Sequence, residues 1–372
     1  MTLRERLMTV FNGGKADRVP LTIYDWILKA AWPGPGNPFE QQGLTLIGVA
    51  GLFEDKHDDT VTIDRKEVGS GRDKQVITTI KTPVGEVTER AGFDPSFGSK
   101  WIREHFIKAV DDYKVMQYVY EHTTTEAKYE EFVAADKKMG QRGIIVGGIH
   151  PIPVVWLMVE IMGTETWCEA VMLHTEEFDA LHESLTRVFK RRLEIAAGSP
   201  AEVIWYADNV TGTVVSPRLF NKYCKPIYDY GCKILKQAGK LTFAHYDGTN
   251  LPLKDCIASV DIDIIEAFTP PPMEQMTIAQ AREAWPDKVL SINFPGTLFG
   301  ESSEVIEKYV YEYMEQGGNE GRFVIGCTEE FDFASFEHTF SAIARAMEQF
   351  QTGSKYNQKQ YTNRESGSPR RA

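Results

Sequence analysis

The stretch LTFAHYDGTN, residues 241–250, begins as an apolar strand and sets His245 and Asp247 two positions apart before a glycine. Side chains alternate across a strand, so this imidazole and carboxylate share one face while Tyr246 points to the other. Such a pair can chelate a cation, pass a proton, or close the strand as a plain ion pair. The pair alone does not separate these readings. Chemistry-bearing residues recur wherever an apolar run ends: Tyr24 and Asp25, His150, Tyr206, Asp208 and Asn209, Glu266, Asn293, then Cys327 and Glu329. Strand ends drawn at random would often be apolar or small, so this concentration is a functional signal.

Within that set His245, Asp247, Glu266 and Cys327 are the residue types that bind zinc, which takes four N, O and S donors and keeps one position exchangeable in a catalytic site. A lone cysteine at a strand end is commonly a buried small hydrophobe; beside a histidine and two acids it reads instead as a ligand. Asp208, in YADNVTG, suits either the same cluster or an Asx hydrogen bond capping its own turn. His150, before a proline, is a loop residue or a weaker site candidate, and His57 in EDKHDD belongs to a solvated surface. Aromatic residues near these ends, among them Trp26, Trp156, Trp205, Tyr206 and Phe243, mostly pack the core, with a few free to wall a flat aromatic ligand.

The elements that must position these residues alternate along the chain. GIIVGGIHP, AEVIWYADN, KLTFAHYDG, DIDIIEAFT, KVLSINFPG and RFVIGCTEE read as strands, separated by helical patterns such as SPRLFNKYCKPIYDYGCKILKQAG and SSEVIEKYVYEYMEQG. Continuous apolar strands in series with helices predict a parallel sheet, and this many predict a (β/α)8 TIM-type barrel, whose strand C-termini form one reactive face. An open doubly wound sheet is the alternative, but no G-x-G-x-x-G follows any strand. Residues 1–350 form one barrel domain in this reading. Residues from about 32 to 100, with a hairpin in QVITTIKTPVGEVTERAG, are an insertion or cap, and 354–372 are a polar tail.

The chain of 372 residues is 42% hydrophobic and 25% charged, with a formal net charge of −12. That charge repels a phosphate backbone, so nucleic acid is not an expected partner. No apolar run approaches the roughly 18 residues that span a bilayer, and a cytoplasmic protein is expected. The five cysteines include no C-x-x-C pair, which argues against a disulfide framework.

LRERLMTVFNGGKADRVP, YADNVTGTVVSPRLFNKYCKPIYDY, GKLTFAHYDGTN and RFVIGCTEE resemble the motifs of the uroporphyrinogen decarboxylase-like superfamily of (β/α) barrels, over residues 1 to about 350. Decarboxylases of that superfamily carry an arginine-rich N-terminal loop that grips porphyrinogen carboxylates; here the matching stretch, DWILKAAWPGPGNP, has no arginine. The corrinoid-dependent methyltransferase branch resembles the chain more closely. Its thiol-methylating members hold zinc through an H-x-C pair, an acid one strand later and a final cysteine after glycine. His245, Glu266 and Cys327 match, whereas Asp247 stands where that pattern has cysteine.

The resemblance implies Zn2+ held by His245, Asp247, Glu266 and Cys327, with cobalamin carried by a partner corrinoid protein, since no D-x-H-x-x-G motif occurs in the chain. A carboxylate in place of a thiolate gives a harder site, suited to polarising an ether oxygen. The expected reaction is therefore O-demethylation: cleavage of a small-molecule methyl donor, a methoxylated aromatic, with transfer of the methyl to cob(I)alamin. Tyr24, Asp208 and Glu329 are the expected acids for the leaving oxygen. Asp25, Trp26, His150, Tyr206, Asn209 and Asn293 are the expected substrate contacts. The rivals are methyl transfer from a corrinoid to a thiol or pterin, a metal-independent decarboxylase, and a non-catalytic ligand-binding protein. A homodimer is compatible with the sequence but not specified by it.

Overall fold

Runs such as IIEAF, VLSIN and FVIGC are buried end to end, the pattern of strands covered on both faces. The computed structural model describes residues 1–31, 38–93, 99–318 and 321–353. Its strands are β1 (Leu21–Tyr24), β2 (Leu44–Gly51), β3 (Phe53–His57), β4 (Thr62–Val68), β5 (Gln75–Thr82), β6 (Gly85–Phe93), β7 (Lys100–Glu104), β8 (Thr123–Ala127), β9 (Gly143–Gly148), β10 (Val203–Tyr206), β11 (Leu241–His245), β12 (Ile264–Phe268), β13 (Val289–Asn293) and β14 (Phe323–Cys327). Eight of them close a barrel in the order β1-β14-β13-β12-β11-β10-β9-β2, all neighbours parallel. With helices between the strands this is the expected (β/α)8 barrel. No helix among the described residues is long and apolar enough to cross a membrane.

The insertion needs a correction. LTLIGVAG, residues 44–51, is not part of a cap but the second barrel strand, paired with β1 and β9. Its two glycines and its position beyond a proline-rich stretch conceal an apolar run that is buried over its first five residues. The inserted structure starts after it: β3 pairs antiparallel with β8, and β4-β5-β6-β7 form a separate antiparallel sheet. Part of this sheet leans toward the barrel mouth, where Ser99 Oγ donates to Glu330 at 2.9 Å. The expected tail at 354–372 lies outside the described residues.

At the other end of the barrel, helix Leu3–Phe11 starts on a capping box made by Thr2 and Glu5 and buries Leu7, Val10 and Phe11. The Phe11 ring meets Phe243 of β11 at 5.4 Å between centroids, stoppering the barrel where its strands begin.

Parallel register then sorts the side chains. Paired residues point to the same side of the sheet, and the period of two sends their neighbours to the other. Phe243 faces the stopper helix, and the rows linking Trp205 to Phe243, His245 to Glu266 and Ser291, Asn293 to Gly326 and Thr22, and Tyr24 to Ile47 all belong to the interior. Tyr206, Ala244, Ile23 and Cys327 belong to the outer, helix-facing side.

Candidate active site at the barrel mouth

His245 and Glu266 end neighbouring strands in register, and His245 Nδ1 lies 2.6 Å from Glu266 Oε2. From across the barrel Tyr24 donates its hydroxyl to Glu266 Oε1 at 2.6 Å and lies 3.3 Å from His245 Nδ1. The other ring nitrogen, Nε2, is 3.5 Å from Asp247 Oδ2, two residues beyond a strand that ends at His245. The four form a chain from a buried tyrosine, through a carboxylate that is 1% exposed, to an acid that is about a third exposed. Burial alone would lower the His245 pKa, but Glu266 and Asp247 outweigh it and push it up to about 10, so the ring carries a proton at neutral pH. Burial, then Glu266, holds the Tyr24 hydroxyl well above its usual range.

Glu329 approaches from the loop after β14. Asn293 aims it, donating from Nδ2 to Glu329 Oε1 at 2.7 Å while its own oxygen accepts the Thr328 N–H at 3.1 Å. Gly296 leaves the space: a Cβ there would sit 2.8 Å from Glu329 Oε2. Burial, and then the Asp247 charge, raise the Glu329 pKa. Aromatic rings wall the opening. Trp26 stacks on Tyr24 with centroids 4.1 Å apart, and Trp205 stands 6.1 Å from Tyr24 and 6.2 Å from His245. Trp26 is 40% exposed, so part of its surface stays free at the rim.

Several expected site residues lie elsewhere. Tyr206 is fully buried on the outer side of β10, between Phe189 and Tyr228. A Cβ on Gly231 would fall 2.1 Å from its hydroxyl, so that glycine makes room for it. The inward residue is Trp205, which the alternation rule could have selected, because it pairs with Phe243 two positions before His245. Asp208, two residues past Tyr206, keeps the outer side. It is fully buried and accepts from Ile152 N–H and from the Tyr228 hydroxyl, both at 2.6 Å, thereby fixing the loop after β9 to a flanking helix. Burial outweighs those bonds and pushes its pKa up to about 7.

Asn209 is exposed, and Asp25 opens a short helix, paired with Lys29 at 2.6 Å. His150 sits at the rim with φ of 68°, an uncommon conformation for a non-glycine residue, its ring against Phe53 and Trp156.

Cys327 does not join His245. It pairs with Ile23 on the outer side of the wall, its Sγ lies 3.7 Å from Glu329 O, and burial pushes its thiol pKa up. Among the described residues no group of three or more His, Cys, Asp or Glu side chains is disposed to hold a metal ion. His245, Asp247 and Glu266 gather without the thiol, and Glu266 has both oxygens engaged by Tyr24 and His245. The four expected donors therefore do not fit zinc as one set. Two cavities of about 220 and 770 Å3 open near Arg18, at the opposite end from this chemistry.

The sequence profile of the family described as uroporphyrinogen decarboxylase (URO-D) matches residues 92–329, well over half of the chain. The chain belongs to the uroporphyrinogen decarboxylase (URO-D) family. Among solved structures it is similar to a methyltransferase from Methanosarcina mazei, with a TM-score of 0.60 and 14% identity over 94% of this chain and 99% of that one. At this identity the likeness speaks for the shared barrel alone. A sugar phosphate isomerase/epimerase from Parabacteroides distasonis aligns over 91% of this chain and 94% of that one, at 12% identity and a TM-score of 0.36, too slight to argue from. No curated protein matches the sequence. The matched URO-D span contains β9 to β14 and thus His245, Asp247, Glu266, Asn293 and Glu329, whereas Tyr24 and Trp26 lie before it.

Proposed function

We propose that the chain is a methyltransferase of this family that removes the methyl group from a small aromatic methyl ether and passes it to cob(I)alamin carried by a partner corrinoid protein. The observation that carries this reading is His245, whose two ring nitrogens face the carboxylates of Glu266 and Asp247 beneath aromatic walls. Carboxylates on both sides keep an imidazole protonated, and an ether oxygen leaves easily only if it receives a proton. The motif resemblance to corrinoid-dependent methyltransferases and the shared fold with a methyltransferase support the transfer.

In the reaction the O–CH3 bond breaks, the oxygen keeps that electron pair and takes a proton, and cobalt(I) of the partner supplies the pair for the new bond to carbon. The chain's own residues bind and orient the ring, through Trp26, Tyr24 and Trp205. They also exclude water and offer the proton. Nε2 of His245, only loosely held by Asp247 at 3.5 Å, is the donor open to a ligand. Glu266, anchored by Tyr24, fixes the ring from behind. Asp247, partly exposed, connects the chain to solvent, from which the proton is replaced.

A porphyrinogen decarboxylase is disfavoured on charge. Among the described residues no lysine or arginine pairs with Tyr24, His245, Asp247, Glu266 or Glu329, whose acids would repel a polycarboxylate, and DWILKAAWPGPGNP carries no arginine to grip one. The test is a mixture of the purified chain, a reduced corrinoid protein and a methoxyarene. Appearance of methylated corrinoid together with an equal amount of free phenol is the expected result, and neither product above a no-enzyme control overturns the reading.

A further inference from the structure

Resting on the methyl-ether reading, we infer that the site takes an uncharged methoxylated ring and rejects one that bears a carboxylate, with Glu329 as the residue that sets this preference. Three carboxylates, Asp247, Glu266 and Glu329, meet at the mouth, and among the described residues the cationic side chain paired with them is His245, which two of them already engage. Among the described residues Glu329 is paired with no lysine or arginine. Its oxygens are placed by Asn293 at 2.7 Å and by the space over Gly296.

Outward from it runs a groove of about 400 Å3, lined by Met273, Phe299 and Phe331 together with Glu329, Glu330 and Asp332, and by no lysine, arginine or histidine. A neutral ring beside Glu329 can rest on Met273, Phe299 and Phe331 of this groove. A benzoate must instead lose water from its carboxylate, gain no counter-ion, and approach fixed charges of its own sign. A quaternary ammonium methyl donor is not what the chain of Tyr24, Glu266, His245 and Asp247 is built for: its amine departs neutral and needs no proton, which would leave that chain without a task.

The experiment measures binding of three rings to the full chain, without a corrinoid partner, by calorimetry or by quenching of tryptophan fluorescence: 1,2-dimethoxybenzene, 3-methoxybenzoate and 3-methoxybenzylamine. The neutral ring is expected to bind at least tenfold more tightly than the benzoate. In Glu329→Gln that ratio is expected to fall at least fivefold, with Glu329→Ala giving the same direction, and raised salt is expected to narrow it in the wild type.

The inference is overturned by a benzoate that binds as tightly as the neutral ring, by a ratio that neither variant moves, by an amine that binds tenfold more tightly than the neutral ring, or by binding of none of the three. Because no methyl transfer is read, an intact binding order beside a failed transfer assay removes the reaction reading alone, and a working transfer with the wrong order removes this inference alone.

Discussion

Two tyrosine–carboxylate pairs stand within one strand of each other and have different occupations. In one, Tyr24 donates to Glu266 at 2.6 Å inside the barrel; in the other, Tyr228 donates to Asp208 at the same distance outside it. Both acids are buried, and the His245 charge is felt at Asp208. The difference lies in what holds the second oxygen. Glu266 gives it to an imidazole open toward the mouth, whereas Asp208 gives it to the backbone N–H of Ile152. Chemistry is thus assigned by the side of the wall a residue takes and by whether its partner can exchange protons. The residue type is the same in both pairs.

The largest effect that separates the pairs is expected at the inner one. His245→Gln keeps a hydrogen bond to Glu266 but delivers no proton, and methyl transfer should fall by about 10²- to 10⁴-fold while thermal unfolding stays close to wild type. A smaller loss would move the acid elsewhere.

The outer pair is read through pH. An acid whose pKa rises from 3.8 to about 7 on folding favours the folded state below pH 3.8, and that advantage is lost as pH climbs through 7. Between pH 4 and pH 8 the stability difference between wild type and Asp208→Asn should shift by at most about 4 kcal/mol in the variant's favour. A flat difference, measured by urea unfolding, would mean that Asp208 stays ionised throughout.

The two tyrosines give a matched comparison. Tyr24→Phe should lower methyl transfer roughly tenfold, at the mild end of what one positioned group contributes. Tyr228→Phe should leave transfer within about twofold and instead, above pH 7 where Asp208 is ionised, remove about 1.5–3 kcal/mol of stability, the worth of a hydrogen bond to a charged acceptor. Exchanged outcomes would break the division between inner and outer pairs.

The smallest effect is expected at Cys327. Cys327→Ser should leave both transfer and metal content, measured by elemental analysis, unchanged. Loss of one zinc per chain in that variant would restore the four-donor set.

The barrel was legible because its later strands are unbroken apolar runs between helical patterns, and the polar ends of three of its strands do gather Tyr24, His245 and Glu266. The hidden strand Leu44–Gly51 shows what composition conceals, since glycine and neighbouring prolines mimic loop text. The pair His245 and Glu266 could be anticipated from residue type on successive strands. Tyr206, Asp208 and Cys327 could not be placed by type. Register carries the alternation of LTFAHYD to β10 and β14, where it selects Trp205 and Gly326 and turns Tyr206 and Cys327 outward, a long-range relation that residue type alone does not reveal. Glu329 depends on Asn293 and Gly296, contacts 36 and 33 residues away in the chain that no local pattern contains.

The plug formed by helix Leu3–Phe11 makes the barrel, among the described residues, a well closed at the end where its strands begin and entered from the mouth. On the methyl-transfer reading proposed above, a bulky second protein and a small donor must then use that doorway in turn. The donor has to be seated before the larger guest closes over it, and the demethylated product is released only after that guest withdraws, so turnover should follow a compulsory sequence of arrivals and departures.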